Sequence, residues 1–185
     1  MALAGIRTAR AADAEIIAKI QWDTWRTAYA DLLGERVLAQ FDLAQAERTW
    51  LDTILGDRAK VYLATEGTWA VGFCAAGRAP EDEVAEADGT LPADAATVGL
   101  ISALLVEPRW GRRGHGGRLL AAAAEDLRAG GASRGICWVP EHDEVSTNFY
   151  ARVGWAHDGT VRTLDAAGTP LREIRLTGGL DVKLL

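Results

Sequence analysis

Cysteine, net positive charge and long apolar runs are all scarce in this chain, and each shortage removes a class of protein. Only two cysteines occur among 185 residues. Cys74 and Cys137 stand far apart in apolar stretches and form no C-x-x-C pair. They read as core thiols of a reducing compartment, with no disulfide framework and no metal expected. The net charge of −6 argues against a nucleic-acid partner. Arg109, Arg112, Arg113 and Arg118 cluster locally, but no wider basic face extends them. GRRGHGGR looks like an RNA-binding RGG tail, yet such tails are repetitive and disordered, whereas this stretch is single and wedged between regular elements. Arg7, Arg10 and Asp13 interrupt the N-terminal stretch before an h-region forms, and no apolar run reaches membrane-spanning length. The expectation is a soluble, cytoplasmic protein with no membrane partner. With 49% hydrophobic residues and neither repeat nor linker, residues 1–185 read as one domain with a genuine core.

The most informative segment is Leu104 to Leu120, LLVEPRWGRRGHGGRLL. Leu104, Leu105 and Val106 suit a strand, and Pro108 cannot continue a ladder. Gly111, Gly114, Gly116 and Gly117 then alternate with Arg112, Arg113 and His115 before a helix begins near Arg118. A strand, a glycine-rich turn and a helix N-terminus make an anion site. Backbone N–H groups converge there, the helix dipole favours negative charge, and glycine lets a phosphate approach without a Cβ in the way. The Gly-Lys-Ser/Thr of a nucleotide-binding P-loop is absent, and the spacing and position do not fit a dinucleotide fingerprint.

This loop resembles the acetyl-CoA loop of the GNAT superfamily of N-acetyltransferases, written Gln/Arg-x-x-Gly-x-Gly/Ala. Gly111-Arg112-Arg113-Gly114-His115-Gly116 matches at both glycines, while Gly111 replaces the usual Gln or Arg. A second segment is also similar to the family. Its Asn-x-x-Ala/Ser-x-x-Phe-Tyr-x-x-x-Gly-Phe pattern is met at Ser146, Phe149, Tyr150 and Gly154, with Trp155 for Phe and Asp143 for Asn. An ionised acid at that position accepts a hydrogen bond but cannot donate one.

The resemblance implies an α+β fold, with a mixed central sheet of about six or seven strands flanked by helices and the cofactor at a splayed strand pair. It implies acetyl-CoA as acyl donor and direct transfer to a primary amine of a small molecule or peptide, and it leaves a homodimer open. Cofactor contacts would come from Leu104, Leu105, Val106, Arg112, Arg113, Gly114, His115, Gly116, Gly117 and Asp143. The four arginines suit the phosphates of CoA. Tyr150 would assist the leaving thiolate. A free tyrosine of pKa about 10 is a weaker acid than a thiol of about 8.5, so full transfer is uphill by roughly 2 kcal/mol. Its help therefore lies in hydrogen bonding as charge develops. No general base stands out, because Leu100, Ile101, Ser102 and Ala103 carry no carboxylate; Glu141, His142 and Asp143 are candidates, directly or through water, and an amine that arrives neutral is the alternative. Two alternatives stay open: a non-catalytic GNAT-fold acetyl-CoA sensor, and a phosphate-ligand module unrelated to CoA.

The remaining elements follow from periodicity and turn chemistry. Ile6–Thr8 reads as a strand, Ala12–Ala28 as a helix and Arg36–Leu55 as a second helical stretch. Val61–Thr65 and Trp69–Ala76 form a hairpin about Glu66-Gly67, and Val98–Val106 is the central strand. After the helix to Ala129 come a strand over Ser133–Val139 and a helix over Val145–Arg152. Strands near Trp155–Leu164 and Leu171–Leu176 close the chain around Asp165-Ala166-Ala167-Gly168. Trp22, Trp25 and Tyr29 share one helix face, as core staples or as walls of an acceptor pocket. Ala79–Thr97 is acidic and aperiodic. It reads as a solvated surface loop, or alternatively as a flap whose Glu81, Asp82, Glu83, Glu86 and Asp88 attract a cationic amine.

Overall fold

A computed structural model describes residues 3–183. Its strands are β1 (Ala4–Thr8), β2 (Ala59–Glu66), β3 (Trp69–Arg78), β4 (Val98–Val106), β5 (Arg134–Pro140), β6 (Ala156–Ala166) and β7 (Thr169–Gly178). Its helices are α1 (Ala14–Ala28), α2 (Ala30–Ala39), α3 (Leu43–Leu55), α4 (Glu81–Val84), α5 (His115–Ala129) and α6 (Glu144–Arg152). The strands form one mixed sheet in the order β1-β2-β3-β4-β5-β7-β6. Every neighbouring pair is antiparallel except β4–β5, where α5 makes the crossover. The sheet has seven strands and the fold is α+β, as expected.

Strand alternation sends side chains to two cores. Tyr62 and Ala64 of β2 pack with Leu119, Leu120 and Ala123 of α5, and Cys137 and Val139 of β5 join them. Val61 and Leu63 face the other way, onto Ile17 and Ile20 of α1, with Trp50 and Ile54 of α3 partly buried against them. A third cluster joins Val98 and Ile136 to Ala79 and Val84, so part of the acidic segment is built into the core.

The long helical stretch expected over Arg36–Leu55 is instead two helices. The chain breaks at Gln40–Asp42, and Asp42 accepts from the Gln45 amide at 3.0 Å, capping α3. Gly34, at φ 77 and ψ 161, kinks the preceding helix. The break turns Phe41 inward, where it stacks on Trp22 with centroids 5.0 Å apart and meets Trp25 edge-on at 5.4 Å. That aromatic packing outweighs helix continuity. The expected strand from Trp155 begins at Ala156, since Trp155 is withdrawn into the α5-side core. Gly135 and Gly178 pair across β5–β7 and leave a slot for its indole. A Cβ on either glycine would fall within 2.5 Å of that ring.

Candidate active site

The site begins where the sheet comes apart. β4 pairs with β5 only from Val98–Arg134 to Ile101–Cys137. On its other side, Ala76 lies opposite Ile101 but Ala75 lies opposite Ala103, so Ser102 is an extra residue in the ladder. Such a bulge bends its strand and reverses the side-chain phase. Leu104 and Val106 accordingly join the α5-side core, and Ala103 and Leu105 the α1 side. Beyond Ile101 the edge of β4 that faced β5 has no strand partner. An extended ligand can add to such an edge through main-chain hydrogen bonds.

The strand then delivers the chain to the glycine-rich loop, through a 3₁₀ turn over Pro108–Trp110. Arg112 and Gly114 adopt φ of 61° and 78°. Gly114 is the left-handed N-cap of α5, and a left-handed residue leading into a helix can turn successive N–H groups to one side, as in an anion nest. In α5 the first amide with an internal acceptor is that of Arg118, on the Gly114 carbonyl at 3.1 Å. The amides from Arg112 to Gly117 have no protein acceptor among the described residues.

The charged side chains are less available than the spacing suggested. Arg113 donates to Glu66 Oε1 at 2.7 Å and lies 5.0 Å over the Trp110 ring. Arg109 donates to Glu107 at 2.5 Å. Arg118 donates to the Arg113 carbonyl at 2.9 Å. Arg112 alone of the four is exposed with no acidic partner among the described residues. The His115 ring is buried and places Nε2 2.9 Å from Glu66 Oε2. Arg113 and His115 therefore present main chain to the loop, while their side chains brace it on the β2–β3 turn. Glu66, which nothing in the local pattern marks, is the anchor. The His115 hydrogen bond above all holds its carboxyl below the usual glutamate range; desolvation opposes it, and the Arg113 charge and hydrogen bond add to the lowering.

Tyr150 lies on the same side of the sheet, buried between Phe149 and Trp155 with ring centroids 5.1 and 5.2 Å away. Cys137 of β5 belongs to the same core cluster. Burial above all raises the Tyr150 pKa well beyond the ordinary tyrosine value, so Tyr150 keeps its proton at neutral pH. It is fit to donate a hydrogen bond and unfit to act as a base. Asp143 is also buried and caps α6, with Oδ1 accepting from the Ser146 amide at 3.0 Å and Oδ2 from Ser146 Oγ at 2.6 Å. Of the other carboxylate candidates for a base, Glu141 is tied to Arg172 at 2.8 Å. The link from Ser146 to Tyr29 Oη, 3.4 Å, joins residues 117 apart and carries no local signal.

On the α1 side, α1, the α2–α3 connection and the β6–β7 tip border an open depression of about 400 Å³. Gln21, Trp25, Phe41, Asp42, Trp50 and Ala167 are among its walls. None of its lining comes from β4, β5 or the glycine-rich loop, so it is distinct from the splayed gap. Trp25, one of its walls, stands one helical turn before Tyr29. The shared face of Trp22, Trp25 and Tyr29 thus divides: both tryptophans pack on Phe41, and Tyr29 reaches α6.

Residues 14–155 match the acetyltransferase (GNAT) family. No curated protein sequence is significantly similar. Among solved structures, the chain is similar to the PaiA N-acetyltransferase of Thermoplasma acidophilum in complex with coenzyme A. The two share 15% identity at a TM-score of 0.74, over 96% of this chain and 99% of that one. The GCN5-related N-acetyltransferase of Rhodopseudomonas palustris shares 20% identity at 0.73, over 97% of each chain. The yncA protein of Salmonella typhimurium with its cofactor acetyl-CoA shares 16% at 0.66, over 98% and 96%. At these identities the structures speak for the fold, and the family match covers most of the chain: the protein belongs to the GNAT family of acetyltransferases.

Proposed function

We propose that residues 1–185 act as one domain that transfers an acetyl group from acetyl-CoA to a primary amine, directly, within a ternary complex. The observation carrying this reading is the continuity of the unpaired β4 edge with the nest of free amides at the start of α5. Pantetheine would pair along Leu104–Val106, and the pyrophosphate would sit over Arg112–Gly117, held by main chain and helix dipole. The thioester would then lie in the gap, with Tyr150 and Asp143 at the α6 side. β4 amides would stabilise the oxyanion, and the Tyr150 hydroxyl the departing sulfur. The relatives crystallised with coenzyme A or acetyl-CoA agree with this choice of donor.

The acceptor would enter from the α1 side. Aromatic walls and the Asp42 carboxylate favour an amine with an apolar or cationic body. A cytoplasmic setting suits a chain whose two thiols are free and buried. Among the described residues no helix is long and apolar enough to cross a membrane.

Calorimetry with acetyl-CoA, ATP and NAD tests the donor, and only acetyl-CoA should bind. CoA release across small-molecule amines, amino acids, polyamines and peptide N-termini tests the transfer. Binding without release for any amine would replace the enzyme reading with that of a sensor.

A further inference from the structure

One side chain bridges the open part of the sheet. Tyr29, at the end of α1, sets its phenol oxygen 3.4 Å from Ser146 Oγ on α6, and Ser146 Oγ donates to Asp143 Oδ2 at 2.6 Å. Hydrogen counting fixes the direction of this chain. A serine hydroxyl carries one proton, and the carboxylate acceptor takes it. Ser146 Oγ can then only accept from Tyr29, so the phenol is the donor and its oxygen keeps a lone pair for another proton. Burial above all pushes the Tyr29 pKa up to about 12. The phenol therefore stays protonated and can pass a proton along without holding a charge of its own.

We propose that Tyr29, Ser146 and Asp143 form a proton relay that removes the proton from the attacking amine, with Tyr29 as the catalytic residue touching that amine and Ser146 and Asp143 acting through it. The proposal rests on the acetyl-transfer reading. The amine nitrogen bonds to the acetyl carbonyl carbon and the carbon–sulfur bond breaks. The nitrogen's surplus proton moves to the Tyr29 oxygen as the Tyr29 proton moves to Ser146 Oγ and the Ser146 proton to Asp143 Oδ2. Asp143 then releases one proton to solvent, and the thiolate leaving beside Tyr150 takes one up. The products are the acetamide and the CoA thiol, and nothing beyond the two substrates is consumed. This supplies the base that β4 lacks, from residues on opposite faces of the sheet.

The test compares Tyr29→Phe, Ser146→Ala and the double variant with the wild type. CoA release is followed with spermidine, phenethylamine and an alanine-ended peptide, and acetyl-CoA binding is measured by calorimetry. Each single change should lower kcat about a hundredfold and leave the acetyl-CoA Kd within about twofold. The double variant should be no slower than the slower single, because either change cuts the same chain. The solvent deuterium effect on kcat should fall in both, a readout that a packing role would not move. Wild-type speed in Tyr29→Phe, or multiplicative losses in the double, overturns the relay while leaving acetyl transfer standing. A wild type that binds acetyl-CoA but acetylates none of these amines overturns both. Should Tyr29→Phe melt early, Ser146→Ala decides alone, since the Asp143 cap on the Ser146 amide remains.

Discussion

Arg175 and Val84 are joined by a hydrogen bond of 2.8 Å that spans 91 residues and fastens the acidic segment to β7. The same guanidinium, 1% exposed, donates to the Ala85 carbonyl at 2.8 Å, the Glu83 carbonyl at 3.1 Å and Asp158 at 2.7 Å. A buried charge with this many partners is costly to remove, because the Val84 carbonyl and the Thr160 hydroxyl that it satisfies stay buried. Arg175→Met should lower unfolding stability by roughly 3–5 kcal/mol. A smaller loss in urea unfolding would mean the segment is held by Val84 packing alone.

The same contacts decide what neutralising the segment does. Glu83 takes a hydrogen bond from Arg162 at 2.8 Å, and Glu86 lies 3.5 Å from Arg175. These two acids are already paired with arginines of the β6–β7 hairpin. Glu83→Gln with Glu86→Gln should lower the melting temperature. Glu81→Gln with Asp82→Asn, at the exposed start of α4, should not. Acceptor KM should change with neither pair, at low salt or near 1 M, where screening acts over about 3 Å. A KM that rises only at low salt would restore the flap.

The phosphate nest can be tested without confusing charge and strain. Gly114 is left-handed, and a Cβ there would lie 3.0 Å from the flexible end of Arg118. Asp and Asn both tolerate that backbone better than other residues. Gly114→Asn should weaken acetyl-CoA binding modestly. Gly114→Asp, placing a carboxylate where the pyrophosphate would rest, should weaken it at least about tenfold further. Equal affinities by calorimetry would remove the nest from the cofactor site.

Tyr150→Phe keeps the ring stacked on Trp155 and removes only the hydroxyl. Acetyl-CoA affinity should hold, and turnover should fall about ten- to a thousandfold. Unchanged turnover, measured where chemistry limits the rate, would return Tyr150 to the core.

Glu66 should make the loop sensitive to acid. Its folded pKa is lowered, so its stabilising contribution is complete above the ordinary glutamate range. The contribution drains as pH falls from there through the folded value, as the carboxylate gains its proton. Glu66→Gln should be less stable than wild type near neutrality, and the gap should close as the solution is acidified below about pH 4. Melting curves for both proteins across that range check the sign.

The binding loop could be read along the chain because its parts are contiguous. Val106, the glycines and the first turn of α5 are held together by covalent connection, and glycine's backbone freedom is a local property. The motif ending in Tyr150 is local for the same reason. The break before α3 also left a sign, since Asp42 with Gln45 three residues on is a helix-capping pattern; the apolar spacing of Arg36–Leu55 masked it. No such sign existed for Glu66 beneath His115, Tyr29 beside Ser146 or Arg175 beneath Val84. Those pairs are set by strand order, and for Tyr29 and Ser146 by the separation of β4 from β5 beyond Ile101. Side chains whose partners lie 49, 117 and 91 residues away acquire their roles only once packing brings the elements together. The order and type of the elements follow from local periodicity, capping and turn chemistry, whereas the pairing of charges and hydroxyls across them is a tertiary outcome, because hydrogen bonds act over about 3 Å and know nothing of sequence distance.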